Sequence, residues 1–189
     1  MARKRVGILV SGRGSNMMAL VEAARDTGCP YEIVLVASDK PAAAGIAWAA
    51  AQGLPVFTQS PKGMPKRDYE ALIDAALRQS GAEIVALAGY MRLLSDDFVA
   101  RWRGQIINIH PSLLPNYKGL DTHARAIAAG DAVAGCSVHL VTEELDGGAV
   151  LGQAQVPILP GDTAETLADR VLAAEHRLYP QMLADFAAR

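Results

Sequence analysis

The sequence is short of cysteine, of net charge and of long apolar runs. Cys29 and Cys136 are its only cysteines, and they form no CxxC pair. Two isolated thiols exclude a disulfide framework and suit a reducing compartment. Eighteen basic side chains against twenty acidic ones leave a net charge of −2. That balance excludes a broad polyanion-binding surface, leaving at most a small basic patch inside a cleft, and no nucleic-acid partner is expected. No apolar stretch approaches the length of a membrane span, so no membrane partner is expected either. The opening MARKRVGILV is basic and then apolar, yet it breaks into Ser-Gly-Arg-Gly without a cleavage region. A signal peptide is therefore not expected, and the expected location is cytoplasmic. No histidine pair has an i, i+4 spacing beside a carboxylate, so no metal site is expected. There is no G-x-x-x-x-G-K-[ST], which speaks against ATP. Repeats, linkers and low-complexity segments are absent as well. One domain is expected over 1–189, long enough to bury a substantial core.

What is present is a regular alternation of apolar runs and amphipathic segments. Strands are read at Val6–Val10, Ile33–Ala37, Pro55–Phe57, in EIVALAG and in QIINI. Helices are read at Asn16–Thr27, Pro41–Gln52, over 66–80 with Tyr69, Leu72, Ile73, Ala76 and Leu77 on one face, and at Ser95–Arg103. Strands apolar on both faces and alternating with helices predict a parallel sheet covered on both sides, with ligands at the carboxyl ends of its strands. The pattern then changes. A long, partly apolar loop, PSLLPNYKGLDT, is expected to fold over something. Thr122 is read as the cap of a short helix to Ala129. CSVHLV and AVLGQAQVPIL, joined through TEELDGG, are read as an antiparallel addition to the sheet. Asp162 with Glu165 reads as a capping start for a final helix through Ala187. The stripe of that helix is Leu167, Val171 or Leu172, Leu178 and Met182. The fold class is thus α/β, with a mostly parallel sheet between helices and an antiparallel C-terminal part.

Three short stretches carry chemistry. The first is SGRGSN, residues 11–16, directly after the first strand. It fits the start of a dinucleotide fingerprint, and Asp39 at the end of the second strand is a candidate ribose ligand, but Asn16 stands where the third glycine belongs. Backbone N–H groups of Gly14, Ser15 and Asn16 at a helix start suit a single phosphate. The competing reading is a plain glycine-rich turn. The second stretch is NIHPSLLP, residues 108–115. Asn108 and His110 are two apart on a strand end and point the same way, so an amide and an imidazole can together serve an oxyanion or a proton. A hydrogen-bonded histidine at a strand–loop junction is the plainer alternative. His123, His139 and His176 are read as structural. The third is EELDGG, 143–148, which is a hairpin turn unless Asp146 reaches His110. If it does, an ionised carboxylate there favours the charged imidazole.

In this order and spacing, SGRGSN, LAGYMRLLS, INIHPSLLPNYKG and TEELDGG resemble the phosphoribosylglycinamide formyltransferases, a branch of the folate-dependent formyltransferase superfamily. The likeness runs from the first strand to AEHRLYP. HPSLLP with a downstream Asp-Gly-Gly marks the superfamily, and the SGxGSN loop marks the branch. The resemblance implies a Rossmann-like N-terminal half, about 1–105, that holds the substrate phosphate. It implies a C-terminal half, about 106–189, that holds the folate and the catalytic groups. Transfer of a formyl group from 10-formyltetrahydrofolate to phosphoribosylglycinamide in purine synthesis is the implied activity. By the same resemblance Asn108, His110 and Asp146 are catalytic. Gly14, Ser15, Asn16 and Glu175 bind the ribonucleotide. Met91, Arg92, Leu93 and Leu94 form one wall of the folate pocket, and Thr142, Glu143, Glu144, Leu145 and Asp146 the other, with Asn108 between them. Family members often place an arginine before the helix that starts at PKRDYE, and here Lys66 and Arg67 compete for its folate contact. The alternatives are a 10-formyltetrahydrofolate hydrolase, a domain that formylates initiator methionyl-tRNA, a dinucleotide-binding oxidoreductase, or a non-catalytic binding protein.

Overall fold

In a computed structural model that describes residues 2–189, the alternation resolves into seven strands and six helices. They are β1 (Lys4–Val10), α1 (Ser15–Ala24), β2 (Tyr31–Ser38), α2 (Ala44–Ala51), β3 (Val56–Thr58), α3 (Lys66–Gln79), β4 (Ile84–Leu87), α4 (Asp96–Arg101), β5 (Ile106–His110), α5 (Thr122–Ala128), β6 (Val133–Leu140), β7 (Val150–Pro157) and α6 (Ala164–Ala187). All strands join one sheet in the order β3-β2-β1-β4-β5-β6-β7. Pairing is parallel from β3 to β5 and antiparallel from β5 to β7. The mostly parallel sheet with an antiparallel C-terminal part is thus the architecture the residue pattern predicts.

Each face of the sheet buries its own cluster. Val6, Ile8 and Val10 of β1 point to the side covered by α1, α2 and α6, where Met17, Leu20, Leu167, Val171 and Tyr179 are buried. Leu9, Leu35 and Val85 point to the other side, against Tyr69, Ile73 and Leu77 of α3 and Phe98 of α4. Alternate residues of one strand therefore feed two separate cores, the reason these strands read as unbroken apolar runs. The Tyr179 hydroxyl donates to the carbonyls of Leu87 (3.0 Å) and Ile107 (3.2 Å), so α6 is pinned across β4 and β5.

Several local readings need correction. Helix α1 stops at Ala24 rather than Thr27, and α2 begins at Ala44 because residues 41–42 form a turn. Leu72 is 40 % exposed; the buried face of α3 instead includes Glu70, whose carboxylate accepts the Ser95 N–H (2.8 Å) and hydroxyl. Helical spacing alone sees no reason to bury a carboxylate there. The cap of α5 is Asp121, in the left-handed region, and Thr122 is its first helical residue. In α6 the capping pair lies one residue later than Asp162 and Glu165. Thr163 accepts the Thr166 N–H (3.3 Å), and the Thr166 hydroxyl accepts the Thr163 N–H (3.0 Å). Asp162 is engaged instead by Arg170 at 2.7 Å. Leu183, not Met182, is the fully buried residue near the end of the stripe.

Candidate active site

The carboxyl ends of β1 and β5 open onto one rim of the sheet, and the chemically interesting side chains gather there. Strand β1 runs out into the 11–16 turn. Gly14 caps α1 with φ 76°, a left-handed conformation that glycine adopts without steric cost. The first helical hydrogen bond is Met18 N–H to Gly14 O at 2.8 Å. The N–H groups of Ser15, Asn16 and Met17 therefore have no partner within the helix, at its positive end. The Asn16 side chain turns back into the protein and donates from Nδ2 to Glu175 Oε2 at 2.7 Å. Two residues 159 positions apart are thus joined. Asn16 Oδ1 is buried and has no hydrogen-bond partner. Burial raises the pKa of Glu175, and the Asn16 bond offsets that only in part. Asp39, the candidate ribose ligand, is buried and accepts the Ser11 hydroxyl at 2.6 Å, so it is not presented to a dinucleotide.

Strand β5 supplies the second group. Asn108 and His110 share one side of the strand, and the antiparallel register sets Asn108 opposite His139 of β6. His139, read from the sequence as a structural strand residue, belongs to the cluster. Its Nδ1–H donates to Leu140 O at 2.8 Å, and its Nε2 accepts from Asn108 Nδ2 at 3.2 Å. Burial holds its pKa below the ordinary imidazole value, consistent with a neutral ring. Pattern reading missed it because nothing in the sequence fixes the β5–β6 register. Asp146 lies between the two rings, with Oδ2 3.5 Å from His110 Nδ1 and Oδ1 3.6 Å from His139 Nε2. The reach that a hairpin-turn reading left open is made.

Two loops close around this centre. His110 Nε2 is 3.0 Å from Tyr117 O, so the 111–121 loop folds back over the ring, and both ring nitrogens face oxygen acceptors. The Gly119 N–H donates to Asp146 Oδ2 at 2.9 Å, and Lys118 pairs with Glu144 at 2.7 Å, tying this loop to the 142–148 turn. Asp146 has φ 49°, a left-handed conformation in which Asp is tolerated. The proposed folate walls are more loosely built. Met91 and Leu93 are each 67 % exposed and Leu145 52 %, while Arg92 lies over the Tyr69 ring at 5.2 Å. Leu94 is partly buried against the cluster under α3 and α4. Thr142, Glu143 and Glu144 are exposed, and Glu143 pairs with Arg103 at 2.8 Å. Of the two competing cations, Lys66 stands 4.0 Å from Glu70, whereas Arg67 is exposed and joins no ion pair among the described residues. No three His, Cys, Asp or Glu side chains among the described residues are placed to share a metal ion.

The formyl transferase family model matches residues 4–183. Phosphoribosylglycinamide formyltransferase from Escherichia coli (strain K12) is 39 % identical over 95 % of this chain and 85 % of its own length. The chain belongs to the phosphoribosylglycinamide formyltransferase family. Family members of known structure agree. The enzyme from Brucella melitensis is 56 % identical, with a TM-score of 0.95 over 99 % of this chain and 97 % of its own. Glycinamide ribonucleotide transformylase 1 from Symbiobacterium toebii is 40 % identical, also with a TM-score of 0.95, over 98 % of this chain and 88 % of its own. The chain is also 48 % identical to the trifunctional purine biosynthetic protein adenosine-3 of Drosophila pseudoobscura pseudoobscura, of which it spans only 14 %. No helix among the described residues is long and apolar enough to cross a membrane.

Proposed function

We propose that this chain transfers the formyl group of 10-formyltetrahydrofolate to the amine of 5′-phosphoribosylglycinamide in purine synthesis. The observation that carries the reading is the meeting of Asn108, His110 and Asp146 on the same rim as a helix start with unpartnered N–H groups. In it, the turn at Gly14, Ser15 and Asn16 grips one phosphate. Glu175 and the unpartnered Asn16 Oδ1 take the polar groups of the ribose and glycinamide. Met91, Arg92, Leu93 and Leu94 face Thr142, Glu143, Glu144, Leu145 and Asp146 across the folate, whose ring faces suit the exposed Met91, Leu93 and Leu145 while its polar edges are left for hydrogen bonds. Arg67 is the better placed of the two cations for the acidic end of the folate, since Lys66 is turned toward Glu70.

The chemistry follows from these positions. The substrate amine attacks the formyl carbon, a new C–N bond forms, and the carbonyl oxygen becomes an oxyanion. Asn108 keeps one Nδ2 proton on His139 and has its second for that oxyanion. Collapse breaks the bond to the folate nitrogen, which takes up one proton while the former amine loses one. His110 is the group placed to pass that proton. Its Nε2–H exchanges Tyr117 O for the substrate, while Asp146 holds the Nδ1 side. Removing one oxyanion donor of this kind typically costs ~10²–10³ in rate, and alignment of two bound substrates supplies much of the remainder. The test is release of tetrahydrofolate measured with and without the ribonucleotide. Release that requires the ribonucleotide supports transfer. Equal release without it identifies a hydrolase and overturns the proposal.

A further inference from the structure

Ser11, the first residue after β1, is 2 % exposed and has no part in the chemistry above. Its hydroxyl donates to Asp39 Oδ1 at 2.6 Å and accepts the Met91 N–H at 2.9 Å. A hydroxyl has a single proton, so giving it to Asp39 turns a lone pair toward Met91. Asp39, just past β2, is itself only 6 % exposed. One buried oxygen therefore links three strand ends: the root of the phosphate turn, the end of β2 and the segment after β4.

The two walls of the cleft depend on this oxygen unequally. The turn has other supports, Gly45 N–H to Gly12 O at 3.1 Å and Met18 N–H to Gly14 O at 2.8 Å. Met91 has few, because the residue is 67 % exposed. The residues before it are held by Ser11 N–H to Gly89 O at 3.1 Å and by the Tyr69–Tyr90 hydroxyl pair at 3.0 Å, but the Met91 N–H itself is fixed by the Ser11 hydroxyl. We infer that Ser11, oriented by Asp39, is a positioning residue that sets the formyl-donor wall at 91–94 against the reacting centre. This rests on the reading of that segment as the donor's wall.

Steady-state kinetics of the full chain, varying each substrate in turn, test it. Ser11→Ala and Asp39→Ala raise KM for 10-formyltetrahydrofolate about three- to tenfold, the equivalent of one hydrogen bond. KM for the ribonucleotide stays within about twofold, since the turn keeps its own bonds. Asp39→Asn retains an acceptor oxygen for Ser11 and restores the donor KM. Equal rises in both KM values, or an unchanged donor KM in folded Ser11→Ala, overturn the inference. So does Asp39→Asn as damaged as Asp39→Ala. Amide hydrogen exchange in the unmodified chain needs no variant to fold. A Met91 amide protected beyond that of its exposed neighbours is expected, and an unprotected one refutes the bond. Unmodified protein that transfers no formyl group refutes the functional reading and this inference with it. Full activity with an indifferent Ser11→Ala refutes the inference alone.

Discussion

Asp146→Asn separates charge from shape at the centre of the proposed mechanism. Asn tolerates the φ of 49° as Asp does, and its amide oxygen still accepts the Gly119 N–H that lies 2.9 Å away. The amide nitrogen then faces His139 Nε2, a ring nitrogen that already acts as an acceptor. What is lost is one negative charge 3.5 Å from His110 Nδ1. Two unit charges at that 3.5 Å separation in an effective dielectric of ~20 attract by about 5 kcal/mol. Both side chains are 8 % exposed, so solvent screening removes little of it. With His110 carrying between half and all of a positive charge while its proton is in flight, the loss of transition-state stabilisation is about 2–5 kcal/mol. That corresponds to roughly 30- to 5,000-fold in kcat. The assay is formyl transfer at saturating concentrations of both substrates, with thermal melts to verify the fold. A folded variant within about threefold of the parent across neutral pH would leave no room for the charge in the mechanism.

Two further outcomes follow from the ribonucleotide side. Burial raises the Glu175 pKa above its ordinary 4.5, so the folded chain holds that proton more tightly than the unfolded one. Stability from this group is therefore greatest below pH 4.5 and declines as pH climbs through the raised value. Glu175→Gln cannot titrate yet still accepts from Asn16. Its melting temperature gains on the parent's as pH rises from 4 to 8, and parallel curves would contradict the assignment. In Gly45→Ala the new Cβ would stand 3.1 Å from Gly12 O, 3.2 Å from Arg13 O and 3.3 Å from Gly14 Cα, all backbone atoms. The phosphate turn has to give way by a few tenths of an ångström. Kinetics should show a several-fold higher KM for the ribonucleotide at unchanged donor KM, and melts a loss of about 2–6 °C.

The parts of this fold that sequence reveals are those set by local pattern. Unbroken apolar runs identify the parallel strands because both faces of β1, β2 and β4 are covered, and the glycines of SGRGSN identify the turn because Gly14 must be left-handed. Long-range register is invisible to such reasoning. His139 joins the site because β6 pairs with β5 so that it faces Asn108, and no spacing in the chain encodes that choice. Glu70 was hidden for a similar reason: its burial is decided by Ser95, 25 residues away, whose N–H it receives. The start of α6 shows a smaller failure. Asp162 and Thr163 both have the chemistry of a cap, and Arg170 decides between them by taking the aspartate. Asp146 carried an honest ambiguity, since a Leu-Asp-Gly-Gly turn looks the same whether or not it reaches a histidine.

β5 has a parallel neighbour on one flank, paired over Ile106–Asn108, and an antiparallel one on the other, paired over Ile107–His110. A slide by a single residue would break both ladders at once and rotate Asn108 and His110 to the opposite side of the sheet, into the buried layer. The seam between the two pairing modes is therefore a lock. An insertion or deletion anywhere in the five residues of this strand would cost the alignment of the reacting groups and the integrity of the sheet together.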